Sequence, residues 1–249
     1  MSKKIFNFFG IAIIIFIWFF LAYFIKNELV VPKISSVLKG MFEILFNSKL
    51  YITILISIFK IFFIMSISLI ISTFLAIYSY KSTKFEHILE PIMALIKTMP
   101  LITIIILIFM LLNMKYTSIV ATLLVSIPIM YEGILNAFKT IDSDMLDDLK
   151  TLTDYKSLGS IMHIQIPITM SYIKTTFVQT LGLGFKVMLM TEYISPSNYT
   201  LGASIRMYYS NNEMNKVYCI VIISIIIVAV VNKIVQILSK VDEKKGGHY

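Results

Sequence analysis

Long runs of apolar residues, broken by single charges, organise the chain from one end to the other. Residues 5–25 (IFNFFGIAIIIFIWFFLAYFI) carry no charge and lie between Lys3-Lys4 and Lys26. A stretch of about 20 apolar residues crosses a bilayer core as a helix. No small-x-small cleavage site follows, so the run reads as a retained span and not as a signal peptide. Residues 52–80 are apolar except for Lys60, which lies near one end, where its stem can snorkel toward the interface. Residues 98–114 are uncharged, and the run extends back through Ile88, Leu89, Ile92, Met93, Leu95 and Ile96, predicting a third span over 88–112. Residues 116–138 hold one charge, Glu132. Residues 173–194 are interrupted by Lys186 and Glu192, but the flanking TFVQTLGLGF and VMLM favour a span over a loop. Residues 217–238 complete a set of six predicted spans. Pro100 and Pro128 fall inside such runs, where membrane helices tolerate them. The runs are continuous and do not alternate in ten-residue units, which excludes a β-barrel. The predicted fold is an all-α polytopic membrane protein forming a single domain over residues 1–249.

Composition narrows the classes further. Of the 249 residues, 58% are hydrophobic and 14% charged, against about 25% charged in soluble domains. The single cysteine, Cys219, excludes a disulfide framework, and three scattered histidines offer no metal centre. The net charge of +8 is not gathered into a nucleic-acid-binding face; the lysines punctuate the apolar runs. With both termini in the cytoplasm, ten basic residues fall on the inner side and seven on the outer, a lean in the direction that the positive-inside rule requires.

The longest polar connection runs over 139–171, between the fourth and fifth spans. Ile141, Met145, Leu149 and Leu152 recur at helical spacing, and Asp144 with Asp147 forms an acidic variant of a capping box. A polar break at Thr153–Ser157 is followed by a second short helix over Leu158–Ile166, and Pro167 opens the next element. Two surface helices on one loop are either a plain connection or a docking platform with apolar teeth.

At its end this loop resembles the signature of permease subunits of bacterial ABC importers, which depend on an extracytoplasmic solute-binding protein. That signature is Glu-Ala-Ala, three residues, Gly, nine residues, then Ile-x-Leu-Pro. Ile164-Gln165-Ile166-Pro167 matches its end; the glycine position falls on Asp154, and the Glu-Ala-Ala positions on Asp148-Leu149-Lys150. Further elements occur in the order found in the nitrate, sulfonate and taurine permease group. They are Pro32-Lys33-Ile34-Ser35-Ser36-Val37-Leu38, Leu89-Glu90-Pro91, Lys97-Thr98-Met99-Pro100-Leu101, Pro128, Gly182-Leu183-Gly184, Glu192 and Leu201-Gly202.

The resemblance implies a type I importer permease of the bacterial cytoplasmic membrane. Two permease subunits, identical or paralogous, form the pathway. A binding protein delivers a small solute such as nitrate, a sulfonate, taurine or a vitamin precursor. A separate ATPase dimer uses ATP and magnesium; this chain has no Gly-x-x-x-x-Gly-Lys-Ser/Thr loop and binds no cofactor itself. The resemblance implies ATPase docking by Asp148, Asp154, Leu158, Gly159, Ile161, Met162, Ile164 and Pro167. Candidate pathway residues are Lys186, Glu192, Gly182 and Gly184. Charges within spans face an aqueous path or a partner; Lys186 either attracts an anionic solute, pairs with an acid across a dimer or reaches an interface. Glu132 and Asn113 read as structural residues near span ends, and the two glycines as sites of close helix packing or of a bend. A secondary transporter would more often show an inverted repeat, and an embedded enzyme would need convergent acids and histidines; neither pattern is present. A structural membrane subunit is the remaining alternative.

Overall fold

The computed structural model describes residues 3–46, 48–141, 147, 149, 151 and 154–246. All described elements are helices: α1 (Lys3–Ile25), α2 (Ile34–Leu45), α3 (Ser48–Lys81), α4 (Thr83–Thr98), α5 (Leu101–Leu111), α6 (Met114–Lys139), α7 (Leu158–Ser160), a π turn (Ile161–Gln165), α8 (Ile166–Ile194), α9 (Leu201–Ser210) and α10 (Met214–Gly246). Among the described residues, three helices are long and apolar enough to cross a membrane: α3, α6 and the Met214–Ile234 part of α10. The α4–α5 pair makes a fourth if taken as one broken span. The described apolar part of α1, Phe9–Ile25, is shorter. The 29 residues of α8 include Lys174, Lys186 and Glu192, which dilute its apolar character.

The third predicted span requires correction. Residues 88–112 do not form one rod: α4 and α5 meet at a bend of 98°. Pro100 has no N–H to continue the helical ladder, and its ring drives Met99 out of the helical region, to φ −62°, ψ 133°. Pro91 and Pro128 lie inside α4 and α6 without ending them. Two ion pairs hold α4 against the C-terminal part of α6, Lys97 with Glu132 and Lys139 with Glu86. Glu132 therefore has the structural role expected of it, with Lys97 as its partner. Asn113 directly precedes α6.

The packing around α3, α6 and α8 uses small polar residues as much as apolar ones. Ser57, Ser68, Ser72 and Ser79 of α3 are buried, as are Thr117, Ser118, Thr122 and Ser126 of α6. Hydrocarbon supplies no hydrophobic drive between spans, so small residues that let backbones approach do this work. Ser72 Oγ donates to Ile127 O at 3.0 Å, and the Ser79 and Tyr131 hydroxyls lie 2.9 Å apart. A Cβ at Gly184 would come 2.7 Å from Met65 Cε and 3.1 Å from Ser126 Oγ, so the expected close packing holds there. At Gly182 the nearest atom, Val228 Cγ1, is 4.0 Å away, an ordinary contact that does not require glycine. The tightest approach is at Gly133 of α6, where a Cβ would lie 2.3 Å from Thr176 Cγ2 of α8.

Outside this core, α2 lies against α10 with Cys219 Sγ 3.1 Å from Val37 O, and α1 is anchored near its end, where Trp18 Nε1 donates to Pro32 O at 3.1 Å. The rest of described α1 is largely exposed and apolar, a surface suited to lipid.

Gly133→Ala should destabilise the protein by about 1–3 kcal/mol through overpacking against Thr176, and Thr176→Ser in the same chain should recover part of that loss. Thermal melting of the purified protein in detergent measures both; an unchanged midpoint for Gly133→Ala would refute this packing.

Candidate functional site

The loop predicted to dock an ATPase folds from its polar break outward. Asp154 Oδ1 accepts the backbone N–H of Lys156 at 3.1 Å, and Asp154 O accepts that of Ser157 at 2.9 Å. This is an Asx turn, the self-contained chain reversal that aspartate builds from its own side chain. Asp154 occupies the position where the resembled signature has glycine. Its backbone is not among the described residues with positive φ, which are Lys26, Tyr199 and Asn212. Aspartate is therefore accommodated there without strain. Ser157 Oγ then caps the next helix by accepting Ser160 N–H at 3.2 Å.

From Leu158 the chain runs through α7 and the π turn into α8 without a break, so the predicted short helix exists but is the first part of a longer one. Pro167 sits in the first turn of α8, where its missing N–H is least costly. Leu158 and Met162 are 54% and 58% exposed, and Gly159 and Pro167 are also exposed. A Cβ at Gly159 would meet nothing within 4 Å, so the chain's own packing does not require glycine there. Ile164 is half-buried. Ile161 is a correction: it is fully buried among Ala76, Ile77, Met93, Tyr131 and Phe138, and so has no surface left with which to fill a partner's groove. Gln165 is also buried and donates from Nε2 to Tyr155 O at 2.5 Å, tying the turn to the helix. The π geometry turns Ile161 and Gln165 inward together, and such bulges recur at functional sites. In the first loop helix, Ile141 and Leu149 are buried, while Met145, Leu152, Asp144 and Asp148 lie outside the described residues.

At the far end of α8 lies a buried ion pair. Lys60 Nζ of α3 donates to Glu192 Oε1 at 3.0 Å; the glutamate side chain is fully buried and the lysine 12% exposed. Lys60 is thus not a snorkelling residue, because a carboxylate waits for it inside. Glu192 Oε2 accepts Gly202 N–H at 3.3 Å, and Ser57 Oγ accepts Leu201 N–H at 3.2 Å. Thr200 Oγ1 takes the N–H of Ala203 at 3.4 Å. The opening N–H groups of α9 are therefore satisfied by three side chains, one of them an anion favoured by the helix dipole. Only glycine fits at 202, since a Cβ would lie 2.5 Å from both Leu189 O and Glu192 Cβ.

Lys186 and Glu192 are not brought together. Lys186 is exposed and lines an almost wholly apolar groove of about 430 Å³ with Leu189, Ile225, Val228 and Asn232, on another side of α8 from the ion pair. Two cavities whose walls mix apolar and polar side chains flank the 196–200 loop instead. One of about 600 Å³ is lined by Lys60, Lys115, Ser197 and Asn198. The other, about 440 Å³, includes Lys49 and Tyr208, whose phenol burial raises above its ordinary pKa. Sequence reading missed Lys60 and Lys115 as site residues. Their signal was present only as single lysines near the starts of two different runs. Among the described residues no cluster of histidine, cysteine or acidic side chains could hold a metal ion.

An all-helical bundle with several bilayer-length apolar helices, one pair of them bent at Pro100, defines a membrane-embedded protein. The family model described as binding-protein-dependent transport system inner membrane component matches residues 68–244, and the chain belongs to that family. It is therefore an inner-membrane permease of a binding-protein-dependent ABC transporter, a transport subunit and not an enzyme. No curated protein matches the chain significantly.

Lys60→Met should lower stability by about 3–5 kcal/mol, because it strands a buried carboxylate. Adding Glu192→Gln should return much of that loss, since an amide keeps an acceptor for Gly202 N–H without a charge. Melting of the single and double variants in detergent tests this; additive losses would show that the two groups do not interact.

Proposed function

We propose that this chain is the pathway-forming permease of an ATP-driven importer and that it couples to a separate ATPase dimer through the exposed face of residues 154–167. The observation that carries the reading is the exposure of Leu158 and Met162 on a segment continuous with α8. Apolar side chains that lie beside a polar loop, on a helix rigidly joined to a span, fit a groove in a soluble partner. Leu158, Gly159 and Met162 are the contact residues, with Pro167 at the edge. Asp154 shapes the turn that presents them, Ile161 and Gln165 fix the segment from inside, and Ile164 lies between the two groups. Asp148 belongs to the same loop. ATP and magnesium act on the partner, and no cofactor is bound by this chain.

The topology that fits this role has six spans: α1, α3, the bent α4–α5 pair, α6, α8 and α10. Both termini and the docking loop are then cytoplasmic, and the ion-pair end of α8 lies outside. A second permease subunit, a copy or a paralogue, completes the pathway, and a solute-binding protein delivers the solute. The ordered motifs from Pro32 to Gly202 support the nitrate, sulfonate and taurine group, hence a small anionic or zwitterionic solute. Gly184 supports the pathway region by allowing close packing; Lys186, about one turn beyond Gly182, lines the groove between α8 and α10.

Replacing both Leu158 and Met162 with Glu should abolish ATPase co-purification and ATP-driven uptake together at unchanged membrane expression, since unpaired charges in an apolar contact cost several kcal/mol. Equal recovery of the ATPase by pull-down would move docking elsewhere. Topology has its own check: a thiol placed by Ser157→Cys should react with an impermeant reagent in inverted vesicles and not in intact cells.

A further inference from the structure

We propose that the cavity of about 600 Å³ between α3, the start of α6 and the 196–200 loop is a binding site for the anionic group of a small solute. The inference rests on the orientation proposed above only for the side of the membrane that the cavity faces. Its volume lies within the range of small-molecule sites, roughly 300–1,000 Å³. Its lining sets Lys60, Lys115, Ser197, Asn198 and Thr200 into a wall that is otherwise apolar, with Ile56 and Ile119 among it, and contains no carboxylate.

The charge balance of the cavity is positive. Lys60 is matched by Glu192, but that carboxylate accepts only one of the three ammonium N–H groups, and its second oxygen is committed to Gly202. Two N–H groups of Lys60 are left for the cavity, where the side chain retains 12% of its exposure. Lys115 has no ion pair among the described residues; its one described contact is with the ring of Tyr116, 5.8 Å from the centroid. Lys115, which is exposed, therefore adds a charge without an ionic partner to a cavity whose other ammonium is already neutralised. Thr200 Oγ1 is spent on its helix cap, donating to Ser197 O at 3.0 Å. Asn198 and the Ser197 hydroxyl make no described side-chain hydrogen bond and complete a set of donors with one net positive charge. An oxyanion such as a carboxylate or sulfonate satisfies that set, whereas a cation would meet like charge and a neutral solute would gain nothing from the Lys115 charge.

The full-length chain carrying Asn198→Cys, in right-side-out vesicles of neutral lipid, reports on the cavity directly. The probes are two impermeant methanethiosulfonates of similar size, one bearing a sulfonate and the other a trimethylammonium group. Native Cys219 is buried, and the parent chain measures its background. A unit charge about 7 Å away shifts each rate by about threefold in opposite directions. The anionic-to-cationic rate ratio should therefore exceed that of a free thiol in solution by about ninefold, and Lys115→Gln should remove most of that excess while Lys115→Arg keeps it. Methanesulfonate should slow modification of the parent Asn198→Cys chain and lose that protection in Lys115→Gln. A ratio indifferent to Lys115→Gln, or absence of protection, overturns the site. Protection that appears only with phosphatidylglycerol in the vesicles and not with methanesulfonate assigns the cavity to a lipid headgroup and overturns the solute. Modification confined to inverted vesicles overturns the orientation alone, and a high ratio there still supports an anion site on the opposite face.

Discussion

A carboxylate buried at the end of α8 must be neutralised, and much of one end of the bundle is arranged around that requirement. Glu192 is fully buried, and an isolated charge there would be prohibitively costly. The cost is met from two directions. Lys60 reaches it from α3, and the opening of α9 turns its N–H groups toward it. Gly202 makes the second contact possible, since any side chain there would push α9 away from α8. One ionised group thus fixes three helices relative to one another. The cavities beside the 196–200 loop are shaped by the same arrangement.

The segment proposed to meet the ATPase lies at the opposite end of the same helix. Ile166–Ile194 spans about 43 Å at the α-helical rise. It follows directly on the π turn that carries Met162 and ends two residues past Glu192. Along its length the helix packs closely against α6 at Gly133 and against α3 and α6 at Gly184. The π turn is the place where its register is least regular, and the buried Ile161 and Gln165 hold it to the core. In the proposed coupling, α8 is the element that joins the exposed face at Leu158 to the ion pair and the cavities beside the 196–200 loop.

The features legible in the sequence are those that depend on composition along one stretch. Apolar runs located the cores of α3, α6 and α10, because a membrane helix must present apolar side chains over its whole crossing length. The order of small motifs marked the permease family, and the Ile164–Pro167 end of the loop marked the start of α8. Asp154 looked like a departure from the signature, yet it builds the turn by another route. The bend at Met99–Pro100 was within reach, since a residue before proline avoids the helical region; the apolar run on either side concealed it. The serines of α3 recur at helical spacing, and that pattern was a readable sign of a packed face.

The sequence by itself determined that this is an all-helical membrane chain, roughly where its apolar helices lie, and which loop carries the exposed apolar teeth. These follow from local physics: hydrocarbon demands apolar side chains and internally satisfied backbones, and turns demand particular residues. Only the tertiary structure decided the partners. Lys60 and Glu192 are 132 positions apart and meet because α3 and α8 pack side by side. Lys186, six residues before Glu192, points elsewhere because a helix turns 100° per residue. Ile161 faces the core while Leu158 and Met162 face out, through a π turn that the spacing of apolar residues did not announce. Charge pairing and burial are properties of neighbours in space, and a linear pattern specifies those neighbours only through the fold.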